Sequence, residues 1–156
     1  MKTPWPVIED MTSPPKKPIR LRGHHLICLH FFGGEGYDLE FIRNLTGLIE
    51  RAAAGEDIEV SSEADGVCRK CPHLKHEKCL YSTDADKEIR EMDADALRLL
   101  GLRIKDRMRW SDVQTKISLL FPEWAKKYCG QCDWRGACEK RGEFIALYNR
   151  AVNSGR

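Results

Sequence analysis

Cys68-Arg-Lys-Cys71-Pro-His73-Leu-Lys-His76-Glu-Lys-Cys79 gathers three thiols and two imidazoles within twelve residues. A second stretch, Cys129-Gly-Gln-Cys132-Asp-Trp134-Arg-Gly-Ala-Cys138, repeats the plan: a C-x2-C pair, then a third cysteine a few residues on. Two residues between cysteines let a tight turn aim both sulfurs at one ion or cluster. Two such pairs, each with a third cysteine, point to metal and to a domain built around two Cys-rich metal-binding loops. The seventh cysteine, Cys28, lies far upstream in Gly23-His24-His25-Leu-Ile-Cys28.

The chain around these loops has 156 residues, enough to bury a core without help from metal, so one domain over 19–156 is expected. Its net charge of +2, from 26 basic and 24 acidic residues, gives no global case for nucleic acid or a membrane surface. No apolar run approaches the roughly 20 residues of a membrane span, and Met-Lys-Thr-Pro-Trp-Pro has no signal-peptide core. The expected location is cytoplasmic, and in a reducing cytosol C-x2-C pairs serve metal or redox chemistry more often than structural disulfides.

Five of the seven prolines fall within residues 1–18, which reads as a proline-rich flexible arm. Ile19-Arg-Leu-Arg22 alternates as a short strand, and a helix is expected from His24 to Phe32, ended by Gly33-Gly34. Asp38 caps a helix to about Ala53, with Ile42, Leu45, Ile49 and Ala52 on its buried face and Phe41 and Leu48 beside them. A strand at Ile58–Val60 leads toward the first cysteines. A polar helix opens near Thr83, and Asp93 is expected to cap a separate one ending at Gly101. Residues 102–110 alternate, with Leu102, Ile104, Met108 and Trp110 on one face and Arg103, Lys105, Arg107 and Arg109 on the other, the pattern of a strand with a basic face. Ser111 caps a further helix, Pro122 starts a short one delivering Trp124 and Cys129, and a last helix, Glu139 to Val152, buries Phe144, Ile145, Tyr148 and Val152. The whole is a helix-rich α+β domain with a few short strands.

Three chemistries compete for the cysteines. Zinc finds a Cys3His set in Cys68, Cys71, His76 and Cys79, whereas the second triad has no such histidine. An iron–sulfur cluster usually takes four thiolates, so each triad could hold three irons of a cubane with Cys28 or a histidine completing one, or the two C-x2-C pairs could share a cluster. Thiol–disulfide exchange has the spacing but lacks the βαβ context. His24 and His25 share a helix face with Cys28, which suits a ligand, a proton carrier or a group orienting a ligand; the alternative makes Cys28 a buried small hydrophobe. Phosphate-loop, serine-hydrolase, zinc-protease and deaminase motifs are absent.

Ile19-Arg-Leu-Arg-Gly-His-His-Leu-Ile-Cys-Leu, the helix from Gly36-Tyr37, Val67-Cys-Arg-Lys-Cys-Pro-His, Leu100-Gly-Leu and the Cys129–Cys138 stretch together resemble a family of small bacterial and archaeal proteins. The family is catalogued as a domain of unknown function and labelled iron–sulfur binding. The resemblance covers roughly residues 19–150. It implies a cluster, such as 4Fe–4S, held by Cys28, Cys68, Cys71, Cys79, Cys129, Cys132 and Cys138 or a subset of them, and implies no reaction. The expected role is redox: electron transfer with an unnamed partner, redox sensing, or catalysis on a small molecule at an iron without a cysteine ligand, with His24 and His25 as candidate catalytic groups. The alternative is a zinc-stabilised module, using His76 as a ligand, that binds a protein or nucleic acid through the basic face; nucleic-acid binding is not expected.

Overall fold

The computed structural model describes residues 17–154 apart from Glu77, Ser82, Gln131 and Asp133, and side chains as far as Ala151. The proline-rich arm assigned to residues 1–18 lies outside the described residues except for Lys17 and Pro18. Helices dominate, with two small sheets between them, a helix-rich α+β architecture.

Strand β1 (Ile19–Arg22) pairs in parallel with β2 (Ile58–Ser61), Ile19 opposite Ile58 and Arg22 opposite Ser61. Parallel strands need a crossover. It consists of helix α1 (Gly23–Cys28), a 3-10 turn at Leu29–Phe31, and helix α2 (Leu39–Ala53). Asp38 caps α2 as expected, its carboxylate accepting from the Phe41 N–H at 2.8 Å. The buried stripe is Phe41, Leu45, Leu48 and Ala52, a slight rotation from the anticipated face that leaves Ile42 and Ile49 half-buried.

The first Cys-rich loop follows β2. It carries a 3-10 turn (Cys68–Lys70) and a hairpin of β3 (Leu74–Lys75) and β4 (Lys78–Cys79). Helix α3 then runs without a break from Ala85 to Leu100 and ends on Gly101 at φ 71°, where a glycine accepts the left-handed conformation. Asp93 therefore caps nothing: it sits mid-helix and is buried.

Residues 102–110 are not a strand either. Only β5 (Arg107–Met108) pairs, antiparallel to β2. Before it the chain turns tightly, with Lys105 at φ 73°, its N–H donating to the Val60 carbonyl, and the Asp106 carboxylate accepting from the Arg103 N–H. Arg103, Lys105, Arg107 and Arg109 are exposed, but they follow a turn and a two-residue strand rather than one pleated face. Arg107 and Arg109 lie 3.8 Å and 3.7 Å from Glu59 and Asp57.

Helix α4 (Trp110–Trp124) passes through Pro122 instead of starting there and unwinds into a π-helical turn at Ala125–Cys129. One turn of helix, α5 (Arg135–Cys138), closes the second Cys-rich loop, and α6 (Gly142–Ser154) packs against α4. Phe31, Phe121 and Phe144 meet at the centre with ring centroids 5.1–5.6 Å apart. Phe144 is buried as expected and Tyr148 packs beside the core, whereas Ile145 faces solvent; the Val152 side chain is outside the described set. Among the described residues no helix is long and apolar enough to cross a membrane.

Candidate metal centre

Strand β1 delivers Arg22 into the interior at 1% exposure, and α1 follows at once. A buried guanidinium needs an acceptor of opposite charge. Asp93 of α3 supplies it: its carboxylate takes the Arg22 Nε–H at 2.7 Å, the His24 backbone N–H at 3.1 Å and His24 Nδ1 at 2.6 Å. Asp65, in the loop after β2, does the same on the other side. It accepts from the Arg22 backbone N–H at 2.7 Å, from the Val67 and Cys68 N–H groups at 3.0 Å, and contacts His25 Nδ1 at 2.6 Å. The two imidazoles lie side by side, centroids 4.0 Å apart.

Burial alone would raise both carboxyls. At Asp93 the hydrogen bond and charge of His24, then Arg22, outweigh it; at Asp65 His25 and the backbone donors do, so both stay ionised below the ordinary carboxylate range. Burial first, and His25 second, lower the His24 pKa. The arrangement is a neutral His24 donating through Nδ1 to a carboxylate whose charge Arg22 balances. Each imidazole is thus oriented by a carboxylate, the device that fixes metal-binding and proton-transferring histidines.

At the other end of α1, Cys28 faces the charge of the second Cys-rich loop. Its thiol lies in the electrostatic reach of Cys129, Cys132 and Cys138 together, with the Trp124 indole N–H favouring its charged form. Cys129 arrives on the π-helical turn, whose wider winding changes the side-chain phase at the end of α4. Cys132 stands exposed in the loop, and Cys138 ends α5. Burial, then the neighbouring cysteines, pushes Cys129 up to about 12, burial and Cys132 push Cys138 up to about 11, and burial drives Cys28 well above a thiol's ordinary value. A cation placed among four such groups reverses the sign of that effect, since it holds thiolates.

The first triad is arranged differently. Cys68 turns inward toward Asp65 and Arg22, while burial raises the Cys71 thiol, with the charge of Cys79 adding to it. His76 occupies the exposed hairpin turn at φ 50°. His73 packs edge-on against Tyr37 and Tyr81 at 4.7 Å and 4.9 Å. Tyr37 meets Trp134 of the second loop at 5.0 Å, so one phenol ring joins the two Cys-rich loops. Among the described residues, His25, Asp65 and Cys68 form the one group of three or more metal-binding side chains whose donor atoms all come within 4.8 Å of each other.

The family described as "Protein of unknown function (DUF1284)" matches residues 36–138, about two thirds of the chain. The chain belongs to that family. No curated protein and no solved structure matches it. The DUF1284 match takes in six of the seven cysteines together with Asp65 and Asp93; it begins downstream of Arg22, His24, His25 and Cys28. In this DUF1284 chain the residues before the match therefore complete both constellations. Asp65 and Asp93 had no sequence signal as site residues: neither stands in a motif, and their Arg22, His24 and His25 partners lie 40–71 positions away.

Proposed function

We propose that the protein holds an iron–sulfur cluster, of the 4Fe–4S type, on Cys28, Cys129, Cys132 and Cys138 and uses it for electron transfer or redox sensing. The observation that carries this is the arrival of Cys28, from a helix a hundred positions upstream, at a triad one thiolate short of the usual four.

When bound, such a cluster supplies one-electron chemistry. The chain's contribution is placement and environment. The π-helical turn, the loop after it and α5 present one sulfur each, and α1, anchored through Arg22, His24 and Asp93, holds the fourth. The Trp124 indole favours charge on Cys28, and Cys132 brings one side of the site to the surface, where a redox partner could approach.

Protein purified without oxygen is expected to be brown and to contain about four irons and four acid-labile sulfides per chain. Replacing Cys28, Cys129, Cys132 or Cys138 by serine should remove the colour, whereas Cys79→Ser should leave it. A colourless preparation with stoichiometric zinc and no sulfide would overturn the proposal in favour of a zinc-stabilised binding module.

A further inference from the structure

A different set of donors lies beneath β2, and it does not depend on the cluster. We propose that His25, Asp65 and Cys68 bind one divalent transition ion, of the zinc or ferrous class, as a centre separate from the four-cysteine site. One imidazole nitrogen, one carboxylate oxygen and one sulfur already lie within 4.8 Å of one another. A tetrahedral ion with bonds of about 2.0–2.3 Å keeps its donors roughly 3.3–3.8 Å apart. The set is thus at the scale of a single ion.

The donors are fixed by contacts that do not use the ion. α1 is seated by the His24 and Arg22 bonds to Asp93. Asp65 is held by the N–H groups of Arg22, Val67 and Cys68. Cys68 begins a 3-10 turn closed by the bond from the Cys71 N–H to the Cys68 carbonyl. Such preorganisation is what a metal site needs from its scaffold. A thiolate excludes magnesium and calcium, and a mixed nitrogen, oxygen and sulfur set suits zinc or ferrous iron.

Asp65 already accepts four hydrogen bonds, one of them at the 2.6 Å His25 contact, and this sets how the ion enters. The ion takes the place of the hydrogen between His25 Nδ1 and Asp65 Oδ2: the imidazole binds through Nδ1 as the neutral tautomer with its one hydrogen on Nε2, and the pair opens by about 0.8 Å to reach tetrahedral spacing. Cys68 gives up its proton, so the two positive charges of the ion meet one carboxylate and one thiolate, and the centre is neutral. A second observation points the same way. Arg22 Nη2 is buried with no well-formed hydrogen bond among the described residues, and the Cys68 sulfur is the acceptor it faces. A metal-bound thiolate gives that N–H an acceptor better than a neutral thiol. Three protein donors leave a fourth position for water or a substrate atom, the pattern of catalytic rather than structural sites.

The test is a cobalt(II) titration of the full chain carrying Cys132→Ser, in which the four-cysteine site is broken. About one cobalt should bind per chain, with the thiolate-to-cobalt charge-transfer band of a single sulfur ligand and the intense visible bands of a tetrahedral ion. Cys68→Ser added to this background should abolish the charge-transfer band, and His25→Gln should weaken binding at least about 10-fold. Adding Cys79→Ser should change neither. A band that survives Cys68→Ser, a band lost with Cys79→Ser, or a chain folded by circular dichroism that binds no cobalt would overturn the site. Should the background variant not fold, zinc analysis of the otherwise unaltered chain decides: about one zinc per chain, absent in Cys68→Ser, is expected, and equal zinc in both proteins refutes the proposal.

Discussion

At Asp93 a single carboxylate accepts three hydrogen bonds from the end of β1 and the start of α1. Its pKa is lowered in the fold, against burial, by His24 and Arg22. As pH falls, the unfolded chain takes up this proton first, near the ordinary value of about 3.9. The stabilisation from Asp93 is therefore complete above about pH 4 and lost as the pH drops through the lower folded value. Asp93→Asn should cost about 3 kcal/mol near neutrality, because it leaves the Arg22 charge buried without its partner, and should flatten the acid limb of stability. Urea unfolding from about pH 7 down to about pH 3 checks both; a deficit that stays constant with pH would contradict the assignment. At this scale the cysteines were legible because their spacing is local. Asp93 was not. An acid before Ala-Asp-Ala-Leu looks like a cap, and only partners some seventy residues upstream reveal its use.

Elements meet most closely where α1 begins. A Cβ on Gly23 would lie 2.5 Å from the Asp93 carbonyl oxygen, which belongs to the backbone of α3 and cannot swing aside. Gly23→Ala should therefore lever the two helices apart and cost about 2–3 kcal/mol, seen as a lower midpoint in thermal unfolding. It should also release the His24 bonds, visible as a changed imidazole signal in NMR spectra. Strands β1 and β2 and helices α2 and α6 follow from periodicity and turn residues in the sequence. The stretch 102–110 does not, because alternation records side-chain polarity and is blind to a backbone reversal. Lys105 takes a left-handed conformation that no local residue type announces. The same holds for the π-helical turn, where a proline seemed to mark a helix start and the helix continued.

Across the whole molecule, the proposed cluster would tie α1 to the segment around Cys129–Cys138. A cross-link closing a loop of roughly 100 residues stabilises by up to about 4–5 kcal/mol. Chelating the iron, or Cys28→Ala, should lower the unfolding midpoint and release hydrogen-exchange protection in α1 and residues 125–138 together, while α2 keeps its own. Loss confined to one of the two segments would argue against a shared centre. The general outline, a helix-rich α+β domain, was legible from sequence; Cys28 stood there as a candidate to complete a triad, but which of the two it faces was not legible, since no pattern along the chain encodes which remote segments approach each other. That approach has a consequence for biosynthesis. A chain made from its N-terminus presents Cys28 long before Cys129, and Arg22 long before Asp93 emerges 71 residues later. Arg22 waits for Asp93 until about three fifths of the chain is made, and the Cys28 thiol waits for Cys129 until about four fifths is made. Metal delivered early would find the Cys68–Cys79 loop first, so correct loading favours a donor that acts only on the finished chain.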